Sequence, residues 1–69
     1  MTARRVVKRD GRFEVWQGNA MLAYVDPESD WLCVLDGRGY VVSRPDVIYH
    51  ESQILNILDA WNEKNTKRR

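Results

Sequence analysis

Glu51–Lys64 reads ESQILNILDAWNEK, and four of its apolar residues, Ile54, Ile57, Leu58 and Trp61, recur at i, i+3, i+4 and i+7. That spacing lines one stripe of an α-helix, with Leu55 on its flank. A helix of about fourteen residues is marginal in free water. Burying the five side chains at roughly 1.5–3 kcal/mol each supplies about 8–15 kcal/mol. Docking, rather than intrinsic propensity, therefore holds the segment, and the chain before it reads as the sheet on which it docks.

Working back from the helix, residues 4–43 read as a β-meander. Arg4 to Arg9 is β-branched in the middle and charged at its ends, like an edge strand protected from aggregation. Asp10-Gly11 is a two-residue hairpin signal of type I′, and Gly18-Asn19 one of type II′ character with Gly first. Between and after them run the predicted strands Arg12 to Gln17 and Ala20 to Asp26. Asp26-Pro-Glu-Ser-Asp30 breaks the pairing, since Pro27 has no N–H to give to a ladder. Trp31 to Leu35, a turn over Asp36–Gly39, and Tyr40 to Ser43 complete the series. Arg44 to His50 stays open between strand and helix. Ser43-Arg-Pro-Asp46 fits a capping pattern, whereas Pro45 and the Val47-Ile48-Tyr49 run oppose helix. Residues 1–3 and 65–69 read as frayed tails. The fold class is α+β: one domain, an antiparallel meander of four or five strands, either an open sheet or an SH3-like partial barrel, with one helix packed on it. The outline resembles SH3-like barrels in architecture alone, and that resemblance carries no functional residue over.

Paired residues share a face, so the turns predict which side chains go together. A Gly18-Asn19 turn pairs Gln17 with Ala20, Val15 with Leu22 and Phe13 with Tyr24 on one face. It pairs Trp16 with Met21, Glu14 with Ala23 and Arg12 with Val25 on the other. Trp31, Cys33 and Leu35 share a side with Tyr40 and Val42, opposite Leu32, Val34 and Val41. On this register both faces carry large apolar groups, and one helix covers only one. Barrel closure, a homodimer or another protein is then expected to cover the remainder.

Charge is uneven along the 69 residues. Residues 1–12 hold five bases and one acid, residues 13–62 two bases and eight acids, and residues 63–69 four bases and one acid. One cysteine and one histidine exclude an internal disulfide and a zinc site. The lone thiol and the lack of an apolar leader run predict a cytoplasmic protein, and no stretch is long enough to span a membrane. A chain this short leans on an added support, here a second subunit or a partner.

The candidate chemistries each have a plainer explanation. Cys33, mid-strand, reads as an inert core thiol. His50 and Glu51 are adjacent, point different ways on a helix and read as helix-start residues. Asp26, Glu28 and Asp30 alternate like oxygen ligands, but Gly37 stands where a calcium loop needs its distal Glu. Gly37-Arg38-Gly39 opens a strand rather than a helix, so it reads as a hairpin and not as a phosphate loop. No catalytic, metal or cofactor set emerges. The expectation is a small non-enzymatic protein–protein interaction module, an adaptor, regulator or inhibitor. Its predicted anchors are Trp16, Trp31 and Tyr40, rimmed by Asp26, Glu28, Asp30 and Asp36. The alternative is a nucleic-acid binder using Arg4, Arg5, Lys8, Arg9 and Arg12 together with Lys67, Arg68 and Arg69.

Overall fold

Tight turns set the meander. In the computed structural model, which describes residues 3–66, Asp10 (φ 52°) and Gly11 (φ 77°) both sit in left-handed space. A type I′ turn demands this of its two central residues. Gly18 alone is left-handed in the next turn (φ 61°), as a type II′ turn requires. These turns join β1 (Arg4–Arg9), β2 (Arg12–Gln17) and β3 (Ala20–Val25). In the loop after β3, the Asp26 carboxylate accepts the Glu28 N–H at 2.9 Å, and the Asp26 N–H donates to the Trp31 carbonyl at 2.9 Å. The chain returns in β4 (Leu32–Leu35), turns on Asp36 and forms β5 (Val41–Ser43).

The five strands make one antiparallel sheet in the order β1-β2-β3-β4-β5. β1 and β5 are its two edges, so the sheet is open and the barrel alternative is excluded. Both edges are protected. β1 carries Arg4, Arg5, Lys8 and Arg9, while β5 has three residues, an extra residue at Val42 and Pro45 just beyond.

Residues 44–50 form neither a regular strand nor a helix. They run beside β4, with the Asp46 carbonyl accepting the Leu32 N–H, Trp31 bridged to Val47, and the Ile48 N–H donating to the Asp30 carbonyl. Pro45 disfavours α geometry at Arg44, and the backbone of Asp46 and Ile48 is taken up by pairing with Leu32 and Asp30. The capping pattern at Ser43–Asp46 is not used. The Gln53 side chain instead reaches back to accept the Tyr49 and His50 N–H groups at 2.7 and 2.8 Å, which is the returning half of a capping box. The helix α1 (Gln53–Thr66) follows. It begins and ends two residues later than the periodicity implies, so Asn65 and Thr66 belong to it and not to a frayed tail. The Asn65 side chain donates to the Trp61 carbonyl at 2.8 Å. The tail expectations for residues 1–2 and 67–69 lie outside the described residues.

The helix stripe docks as its spacing dictates. Ile54 and Leu58 are fully buried, and Leu55, Ile57 and Trp61 pack around them. They meet Val15, Ala23, Val25, Leu32, Val34 and Ile48, with Val6, Phe13 and Leu22 at the margin. The Arg4 guanidinium pairs with Asp59 of the helix at the border of this layer.

The register of β2 against β3 differs from the simple hairpin. Gln17 faces Ala20 and Trp16 faces Met21 as expected, but Val15 then faces Ala23, and Glu14 faces Tyr24. Leu22 is the extra residue of a bulge. The slip sorts the sheet. Phe13, Val15, Ala23 and Val25 now share the helix face, while Arg12, Glu14, Trp16, Met21 and Tyr24 share the other. A second irregularity sets Val41 opposite Leu35 and Ser43 opposite Val34, so Val41 shares the face of Leu35 and Cys33 rather than that of Val34. The expectation of two greasy faces is corrected: one face is apolar and the outer one is mixed.

Candidate functional site on the outer sheet face

β2 builds the centre of the outer face. Arg12, Glu14 and Trp16 alternate along the strand and so project to one side. Glu14 is only 4% exposed. Its carboxylate accepts from the Arg12 guanidinium at 2.7 Å and from the Trp16 indole N–H at 2.9 Å, with Arg9 at 3.8 Å. A buried carboxylate survives only when paired and hydrogen-bonded. Here the Arg12 bond, then the Trp16 bond, outweigh burial and hold the Glu14 carboxyl below its ordinary value.

The Arg12 guanidinium also lies 4.5 Å from the centre of the Tyr24 ring, a favourable cation–π placement. Tyr24 faces Cys33 across β3 and β4. Burial, then the Cys33 thiol, push the Tyr24 phenol above its ordinary value. The Arg44 guanidinium lies against the same thiol. Cys33 is therefore fully covered although it stands on the outer face. Its roof is Tyr24 and Arg44 rather than the helix.

Around this hub lie Val7 and Arg5 on β1, Met21 on β3, Leu35 on β4 and Val41 on β5. Val41 and Trp31 are each 38% exposed. Trp31 borders a recess shared with Asp26, Ser29 and Arg44.

The predicted anchors do not form one cluster. Trp16 is half-buried beside the β2–β3 turn, with its indole N–H committed to Glu14. Tyr40 is exposed at the β4–β5 turn, at the same end of the sheet. Trp31 lies at the opposite end. The acidic rim divides the same way: Asp26, Glu28 and Asp30 are in the β3–β4 loop, and Asp36 is in the β4–β5 turn. Two of these carboxylates also hold backbone. Asp36 accepts the Arg38 and Tyr40 N–H groups at 2.8 and 3.0 Å, and those bonds, Tyr40 first, lower its pKa. The Asp26 carboxyl is lowered chiefly by the Glu28 N–H.

The bases of the alternative reading are likewise split. Arg4 faces the helix, and Lys8 lies 5.3 Å from the centre of the Phe13 ring on that same side. Arg5, Arg9 and Arg12 point outward; Lys67, Arg68 and Arg69 lie outside the described residues. Glu14, Tyr24 and Arg44 are not among the predicted anchors, rim acids or bases. The R-x-E-x-W alternation in Arg12–Trp16 carried a signal for the first. Nothing local marked Arg44, whose position follows from the bulge before it. The chain matches no family model, no curated protein and no solved structure, so the face is read from its own geometry.

Proposed function

We propose that the protein is a small, non-enzymatic interaction module, an adaptor, regulator or inhibitor, that engages another protein through the outer face of its sheet. One observation carries this reading: α1 covers a single face of an open sheet, and among the described residues no second layer lies over Trp16, Tyr24, Leu35 and Val41 on the other face. Aromatic and arginine side chains among aliphatic ones are the composition enriched where proteins meet. Trp31 and Tyr40 flank the face at opposite ends, and the loop acids Asp26, Glu28, Asp30 and Asp36 form its rim. Association of two copies through this face is the homodimeric form of the same proposal. The lone thiol favours a cytoplasmic setting.

Affinity capture from the source cell tests the proposal, with the double variant Trp31→Ala/Val41→Asp as the control. The expected result is a protein retained by the wild type at elevated salt and lost by the variant. Retention by both places the partner elsewhere and refutes the outer-face reading. The nucleic-acid alternative draws on Arg5, Arg9 and Arg12 sharing one face. It predicts a mobility shift that weakens steeply as salt rises, where an apolar protein interface changes little.

A further inference from the structure

The β1–β2 hairpin is the basic part of the described chain, with five bases and two acids between Arg4 and Gln17. Three of those bases, Arg5, Arg9 and Arg12, stand on its outer face, with the Glu14 carboxylate among them and Asp10 in the turn. Arg9 and Arg12 are directly paired across the strands, an arrangement that is unfavourable between like charges unless an anion intervenes. Glu14 serves Arg12 first, at 2.7 Å, and reaches Arg9 only at 3.8 Å. The Arg9 side chain is 66% exposed. Arg5 donates to a neutral acceptor, the Gly18 carbonyl, at 3.3 Å. Arg9, Asp10, Arg12, Glu14 and Pro27 enclose an open recess of about 330 Å³ at this end of the face.

Building on the outer face as a docking surface, we propose that the partner is an acidic, partly apolar protein segment, one of whose carboxylates enters the recess between Arg9 and Arg12. The guanidinium of Arg9 supplies a planar, permanently charged donor pair for that carboxylate. Arg5, farther along the same strand, takes a second acid, and Val7 between them meets an apolar residue. An extended segment with acids four residues apart and an apolar residue midway between them presents this order on one face. Polypeptide is favoured over nucleic acid because the neighbouring rings are already engaged. Arg12 covers Tyr24 and Glu14 holds the Trp16 indole, while Val7, Met21, Leu35 and Val41 offer aliphatic contact rather than a base-stacking platform.

The test uses the full chain, isotope-labelled, with the arginine Nε–H and tryptophan indole signals as reporters. The probes are a peptide with Glu at every fourth position and Leu or Phe midway between, its Lys-for-Glu counterpart, a neutral Ser-for-Glu counterpart, and a short oligodeoxythymidine, all at physiological salt. The acidic peptide is expected to shift the Arg9, Arg12 and Trp16 signals. Arg9→Glu is expected to weaken it roughly fivefold or more, whereas Lys8→Glu, the same charge change on the other side of the same strand, leaves binding within about twofold. The acidic chemistry is overturned, with the docking face intact, if the neutral or basic peptide binds as well while shifting the same signals. Tighter binding of the oligonucleotide overturns it in favour of nucleic acid. Equal losses from Arg9→Glu and Lys8→Glu overturn the recess. If no probe moves any outer-face signal, the proposal and the docking reading beneath it both fall.

Discussion

Val15 and Glu14 are neighbours on β2, and each is almost fully buried, at 1% and 4% exposure. Val15 lies in the layer between sheet and helix, in one cluster with Ile54 and Leu58. Glu14 is covered by its own sheet, through Arg12, Trp16 and Arg9. The helix face gains stability by removing apolar area from water, a term without direction. The outer face is held by bonds with strict geometry around one charge, and it keeps long side chains that can swing aside. The first face is a core. The second is a surface partly closed over itself, and that difference is why the interaction proposal rests on it.

The comparison breaks most visibly at Leu58. It is 1% exposed at the centre of the helix stripe, and Leu58→Ala removes buried methyl groups and leaves a cavity. The expected loss is about 3 kcal/mol, lowering Tm by on the order of 15 °C in a domain of this size. Leu35→Ala, the same change on the half-buried outer face, is expected to cost less than about 1.5 kcal/mol. Chemical denaturation of both variants measures the ratio. Equal losses mean that the outer face is as much a core as the inner one.

Glu14→Gln sharpens the contrast from the polar side. The amide oxygen still accepts the Trp16 indole N–H, but the charge between Arg9 and Arg12 is gone. The expected cost near neutral pH is about 1–2 kcal/mol. The pH dependence identifies its origin. The Glu14 carboxyl is held below its ordinary value of 4.5 in the folded protein, so its contribution is complete above that ordinary value. It is lost as pH falls through the lower folded value, where the folded state takes up the proton. The gap between wild type and variant should therefore close on acidification. Both proteins continue to lose stability there, because Asp26, Asp36 and Asp59 are also lowered. A gap that is constant with pH would assign the cost to shape rather than charge.

The two faces also differ in how well the sequence announces them. The helix stripe is readable because four apolar residues at helical spacing have few other interpretations, and each strand was placed to within a residue by its flanking turn. The outer face departs from simple alternation at two points, Leu22 in β3 and Val42 in β5. Leu22 and Ala23 are both apolar, so alternation alone cannot show which of them faces Val15. The bulge is settled by packing: Leu22 joins the margin of the core, and Tyr24 moves outward to lie under Arg12. From there the pairing of Glu14 with Tyr24 and the inward side of Val25 follow. Arg44 was unreadable for a related reason, since its side depends on the extra residue at Val42.

The change in stability expected at Trp31 is also well below that at Leu58. It is 38% exposed, and its cross-strand tie to Val47 is made by backbone, so Trp31→Ala leaves those bonds in place. Only the covered part of the ring is lost, and the expected cost is about 1–2 kcal/mol. A docking residue shows the opposite pattern from Leu58: little effect on folding and a large effect on partner binding. The two readouts are independent, denaturation of the isolated protein and retention of the captured partner. A Trp31→Ala variant that loses as much stability as Leu58→Ala would make this ring part of the scaffold, and the outer face would lose one of its two exposed aromatic anchors.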